Sequence, residues 1–358
     1  MASIPIPPNY GVHDTFVRDG IALVCAWNTG LILYDVGNGI RNGTPARPVE
    51  VSRIVTESTV GFTGARVHNA WWFHNPANGE KRYVFVGQEG PATIGESSRG
   101  DIHVVDVSDL TRPVQVARYH MSGTAKPAGA HNFWMDEQAQ VLYAAFYNGG
   151  VVALDVSGTL SGDLASREIA RLAPGGAETF TWGVQLVGPS LYAADMLSGL
   201  YQLQLSGGAF TVASGGANVP ERFSSDLWVH GNVAYTGTWG SRLGRGGNVL
   251  KIWSLSASGA PALSDSLVIA DIGTVSDVQV SADGKMLVLT AENGPAAGLY
   301  VYSLANPLRP SALASTLIDT GLHTGTVADI GGKRYVFAAK NPANPELIVF
   351  DITALIPQ

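Results

Sequence analysis

Cysteine occurs once in the 358 residues. Cys25 lies in the apolar run IALVCAW and reads as a buried thiol, so no intramolecular disulfide is available and the redox compartment stays undecided. Charge is scarce as well: 14% of residues are Asp, Glu, Lys or Arg, the net charge is −7, and Lys and Arg never cluster. Nucleic acid and anionic membrane surfaces need a positive footprint, and this chain offers none. It also has no apolar run of about 18 residues, the length a spanning helix requires. The start, MASIPIPPNYGVHD, lacks the charged and apolar regions of a signal peptide. That fits a cytoplasmic protein, or an exported one whose signal has been removed.

Catalytic motifs are missing too. G-x-S-x-G, C-x-x-C and H-E-x-x-H do not occur. The glycines of SRLGRGGNVL lack the strand-to-helix setting of a phosphate loop, so no nucleotide cofactor is expected.

What the chain has is glycine, 43 residues of it, with 46% hydrophobic residues. This balance suits short strands joined by tight turns. An internal repeat organises them. GVHDTFVRDG at 11–20 returns as ARVHNAWWFHN at 65–75, GAHNFWMDEQAQ at 129–140, FTWGVQLVGPS at 180–190, SSDLWVHGN at 224–232, TVSDVQVSADG at 274–284 and GLHTGTVADIGG at 321–332. After each copy comes a strand ending in a Gly- or Asn-rich turn, such as LYAAFYNGG, and then a third strand, such as IHVVDVSDL. A fourth, such as RPVQVARYH, can be drawn between most copies. Four antiparallel strands repeated seven times predict one all-β domain over residues 1–358, a seven-bladed β-propeller. The last blade shows three strands, and the N-terminal SIPIPP is placed to supply its fourth.

The pattern of HD, YVFV and IHVVDVS strands resembles the LVIVD-repeat family, and the resemblance covers nearly the whole chain. DIHVVDVSDLTRPVQVA at 101–117 and GVVALDVSG at 150–158 match best, whereas LYQLQLSGG and LKIWSLSAS lose the aspartate. The resemblance implies the propeller fold and a bacterial, often exported protein. It implies no reaction, so function must be argued from a site.

Aligned on their first strands, the copies give a column: His13, His68, His131, Trp182, Ser225, Ser276 and His323. The next column is Asp14, Asn69, Asn132, Gly183, Asp226, Asp277 and Thr324. The four histidines belong to consecutive blades, an arc at the mouth of the channel. Imidazoles from separate rigid strands can converge on one transition metal, here iron, manganese, copper or zinc. A bland reading competes: polar residues at this position can simply bond the neighbouring blade's backbone. Ser225, Ser276, Asp14, Asp226 and Asp277 fit that reading. His74, His103, His120 and His230 fall outside the column and read as surface or packing residues.

Glu89 in GQEGP, Glu292 in AENGP and Glu178 in GGAETFTWG are candidates to orient the imidazoles or to act as acid or base, with a solvated loop charge as the competing reading for each. Trp27, Tyr147, Phe180, Trp182 and Trp239 are candidates to hold a substrate at the mouth. The leading expectation is therefore a metal-assisted enzyme acting on a small, sugar-like or aromatic molecule, with oxygenase, lyase and hydrolase chemistry open. Its competitor is a non-catalytic propeller that binds a protein or ligand on the same face.

Overall fold

Each copy of the repeat forms one sheet with its strands side by side in chain order, and together they make a seven-bladed β-propeller. The computed structural model describes residues 1–6, 11–58, 63–216, 222–240, 244–256, 260–341 and 344–357. Among them the only helices are three short 3-10 turns, and no helix is long and apolar enough to cross a membrane.

Burial grades across each blade and follows the residue types. Second strands such as Ile21–Cys25 and Val141–Ala145 are buried along their whole length, on both faces, and their sequences are unbroken apolar runs. The fourth strands Ala262–Val268 and Ser311–Leu317 are exposed nearly throughout and carry Ser, Asp and Thr. Apolar layers fill the space between consecutive blades. Phe85, Val104, Leu142 and Leu154 belong to one such layer, and Leu250, Ile252, Leu287 and Leu289 to another. Fully burying one such side chain contributes about 1.5–3 kcal/mol. Trp71 and Trp134 meet at 5.4 Å between two blades, as wedges.

Backbone contacts gather in two compact units. One holds residues 1–24, 34–50 and 219–358, and the other holds residues 25–33 and 51–218.

In the first unit the two ends of the chain share a blade. Ala2–Pro5 pairs antiparallel with Glu346–Asp351, from Ala2 opposite Val349 to Pro5 opposite Glu346. Pro5 sits on an edge strand, where its missing N–H costs no ladder bond. The remainder of the expected SIPIPP strand includes Pro7 and Pro8, which lie outside the described residues. The second unit departs once from four strands: Gly162–Asp163 adds to Val114–Tyr119 in parallel, bringing a loop of the third blade onto the second.

The aspartate of the third-strand motif has a local task. Asp106, Asp155 and Asp351 accept the backbone N–H two residues on, from Ser108, Ser157 and Thr353. Such Asx turns end a strand sharply. Asp35 does more, accepting N–H bonds from Gly37, Asn38 and Gly39 on one oxygen and from Arg41 and Gly43 on the other. Burial opposes ionisation of Asp35, but these donors outweigh it and hold the carboxyl at about 2. Where the motif loses its aspartate, Ser303 accepts a longer 3.3 Å bond from Ala305.

Candidate functional site

Six of the seven positions of the histidine column are β-bulges. Pairing slips between Val67 and Asn69, Thr181 and Gly183, Ser224 and Leu227, and Val275 and Asp277, which makes His68, Trp182, Ser225 and Ser276 bulge residues. In the third blade His131 N–H donates to the Ala145 carbonyl while Asn132 accepts from the Ala145 N–H, so two residues face one. His323 and Thr324 oppose Ala339 in the same way. A bulge breaks the in-out alternation and re-aims one side chain. Close packing supports it: a Cβ on Gly87, opposite the second blade's bulge, would lie 1.9 Å from Asn69 Oδ1.

In the second unit the bulges bring His68 and His131 together. Their ring centroids are 4.2 Å apart, and both residues are buried. Glu89 follows the Tyr83–Gln88 strand, and its N–H donates to the Arg66 carbonyl. Its Oε2 lies 3.7 Å from His68 Nε2. His68, Glu89 and His131 each offer one ligand atom, and these atoms all lie within 4.8 Å of one another.

Neighbouring groups fix the donors. His131 Nδ1 is 2.7 Å from the Trp182 carbonyl, so that nitrogen carries the proton and the Nε2 lone pair is set as the donor. The Tyr147 hydroxyl donates to Glu89 Oε1 at 2.6 Å. Tyr147 itself is held by a two-way backbone bridge to Thr181 and sits at φ 41°, a left-handed conformation that costs a bulky residue free energy. Trp27 repeats the device, with φ 50° and a bridge to Val67. Both turns, WNTG and YNGG, thus tie a blade to the head of the next one's first strand.

The aromatic residues take up packing positions more than a rim. Tyr147 and Phe180 are each 1% exposed, with rings 4.4 Å apart, and Trp182 stacks 4.2 Å from His131. Trp27 is half-buried, with the Arg66 guanidinium 5.9 Å from its ring, and of the expected substrate-holding residues it keeps the most open surface. Glu178 stands exposed at the end of the 3-10 turn Gly176–Glu178, outside the buried histidine group.

The first unit holds the other pair. His13 and His323 meet edge to face at 4.7 Å, and Trp239 lies 6.1 Å from His323. Glu292 Oε2 is 3.1 Å from His323 Nδ1 and accepts the Ser276 hydroxyl at 2.9 Å. Burial alone would raise the Glu292 carboxyl, but His323, Ser276 and Asn341 together hold it below the ordinary value. The companion column behaves otherwise: burial and then the Asp277 charge push Asp14 up to about 8, against the Thr15 N–H, Thr324 and His323.

The backbone-bonding reading holds for part of both columns. Ser225 donates to the Val275 carbonyl of the next blade, and Asp277 accepts the Gly325 N–H. Ser276 instead bonds Glu292, a pairing the sequence reading misses because it assigns both serines to backbone.

No protein-family model matches the chain, and no curated protein does. Among solved structures it is similar to a chain of the mitotic checkpoint complex, at 13% identity over 98% of this chain and 93% of that one, with a TM-score of 0.65. It is also similar to the computationally designed Ika8 protein, at 9% identity over 97% of this chain and 89% of that one, with a TM-score of 0.56. At these identities the likeness is one of fold.

Proposed function

We propose that this propeller is a metal-assisted enzyme whose second unit holds a divalent transition metal on His68, His131 and Glu89. The observation that carries the reading is the donor set: two buried imidazoles and a carboxylate with ligand atoms mutually within 4.8 Å. Nitrogen and carboxylate oxygen together suit iron, manganese, copper or zinc. Three protein ligands leave coordination positions open, the mark of a catalytic site over a structural one. When bound, such an ion supplies Lewis-acid or redox chemistry at a substrate oxygen.

This chain's own residues supply the rest. The Trp182 carbonyl keeps His131 in the Nδ1–H tautomer, and Tyr147 holds one Glu89 oxygen, which turns the other toward His68. Trp27 and Arg66 offer a half-buried aromatic face with a cation over it, a surface for a sugar-like or aromatic substrate. The repeat's resemblance to LVIVD proteins belongs to the same reading.

Metal analysis of protein purified without an affinity tag tests it. The expected result is a stoichiometric transition metal that disappears in a His68→Ala, His131→Ala double variant that keeps its β-sheet circular dichroism. A folded wild type that is metal-free and indifferent to added metals overturns it and leaves the binding platform as the reading. The sequence expectation that His13 and His323 share in this metal is checked by the metal content of the matching double variant.

A further inference from the structure

The strands that carry His131 and Trp182 at their heads frame a separate cleft at their other ends, all of it within the second unit. There the hairpin of Phe133–Asp136 with Val141–Ala145 faces the hairpin of Thr181–Val187 with Ser190–Asp195 across a cleft of about 230 Å³. Asp136 follows His131 by five residues, roughly 16 Å of extended chain, so the cleft stands apart from the histidine group.

One wall is aliphatic. Leu186 opposes Leu191 in the second hairpin, Leu205 follows on the next strand, and Pro189 sits in the turn. Leu186 and Leu205 pack on the buried layer between these blades but are only half-buried themselves, so part of their apolar surface lies open to the cleft.

The facing wall carries a carboxylate and a phenol. Asp136 is the one charged residue of the lining. Among the described residues it has no ion pair, and its one hydrogen bond goes to Oδ1, from the Ala139 N–H at 3.0 Å. That bond shapes the turn and leaves Oδ2 to the cleft. Tyr143 comes from the adjacent strand and is 6% exposed, with its ring 6.3 Å from Phe210. Burial, and then the Asp136 charge, push its phenol above the ordinary value, so the hydroxyl keeps its proton.

We infer that this cleft binds a small primary alkylamine as its cation, the ammonium pairing with Asp136 Oδ2 and donating to the Tyr143 oxygen while the alkyl chain lies on Leu186, Leu191 and Leu205. An ammonium has three donors and no acceptor, which suits a wall whose carboxylate and phenol oxygens both accept. An anion would meet Asp136 with no counter-charge in the lining, and the net charge of −7 also favours a cation. At about 30 Å³ per water-sized group the cleft takes a chain of five or six carbons with its ammonium.

Calorimetric titration of the full chain in chelator-treated buffer at neutral pH tests this independently of the metal reading. The probes are pentylamine, 1-pentanol, which keeps the chain without the charge, and methylamine, which keeps the charge without the chain. Pentylamine is expected to bind about tenfold tighter than pentanol, the factor one charge-assisted hydrogen bond gives. It is expected to exceed methylamine by about tenfold as well, from four half-buried methylenes. Asp136→Asn keeps an oxygen for the Ala139 N–H and is expected to bring pentylamine down to the level of pentanol. Leu205→Ala is expected to weaken pentylamine and leave methylamine unchanged. In the wild type, no binding of pentylamine, or equal binding of pentylamine and pentanol, overturns the inference. So does an Asp136→Asn variant with wild-type circular dichroism that still prefers pentylamine.

Discussion

Tyr147 shows how one residue serves both fold and site. Its backbone bridges two blades in a left-handed conformation, and its hydroxyl reaches a glutamate 58 residues away in sequence. The sequence expects it at the mouth, holding substrate; the structure buries it and commits the hydroxyl to Glu89. Tyr147→Phe removes that bond and little packing volume. If Glu89 is a ligand, metal affinity falls about 10–100-fold, as for other groups that orient a ligand. The thermal midpoint should move by no more than a degree or two, and competition with a chelating dye reads the affinity. An unchanged affinity would separate Glu89 from the metal. The histidines were readable from the chain because a column repeated in register survives any uncertainty in strand ends. The Tyr147 hydroxyl bond was not, because it depends on side-chain reach between blades, which no periodicity encodes.

Among elements, the bulge and the Asx turn do most of the positioning, and they differ in how far the sequence reveals them. The third-strand aspartate is visible in four blades as LYD, VVD, ALD and VFD, and its work is local: it binds N–H groups a few residues on. The bulges leave no such mark. Slipping one residue needs only a suitable partner strand, so VHN, AHN and TWG look like ordinary strand starts although pairing has shifted there. Asp35 allows a quantitative check of the turn's role. Its carboxyl sits at about 2 when folded and near the model-peptide value of 3.8 when unfolded, so the folded state binds the proton less readily. The stabilisation is therefore fully present above pH 4 and is lost as pH falls toward 2. Asp35→Ala should cost about 2 kcal/mol at neutral pH and flatten this acid limb in urea unfolding followed from pH 5 to pH 2. A variant with the wild-type acid slope would assign the acid sensitivity elsewhere.

For the whole molecule, the decisive contact joins the ends of the chain. Seven blades follow from seven repeats, and the one place where the count does not close locally is the last blade, which has three strands of its own and borrows Ala2–Pro5. Without that strand, Glu346–Asp351 becomes an open edge whose N–H and C=O groups invite another chain. The borrowed strand is short and partly exposed, alternating half-buried Ala2 and Ile4 with exposed Ser3 and Pro5, so its own burial is modest. Its ladder bonds, the Ile6 N–H bond to the Pro345 carbonyl and the cover it gives the edge are what it supplies. Removing residues 1–6 is expected to lower stability by about 3 kcal/mol, from a few ladder hydrogen bonds at about 1 kcal/mol each, and to raise self-association through the freed edge. Thermal unfolding and sedimentation velocity at several concentrations read the two effects separately. Lost stability without self-association would mean that the new edge stays covered. A truncated chain as stable and as monomeric as the parent would show that the seventh blade closes without its N-terminal strand.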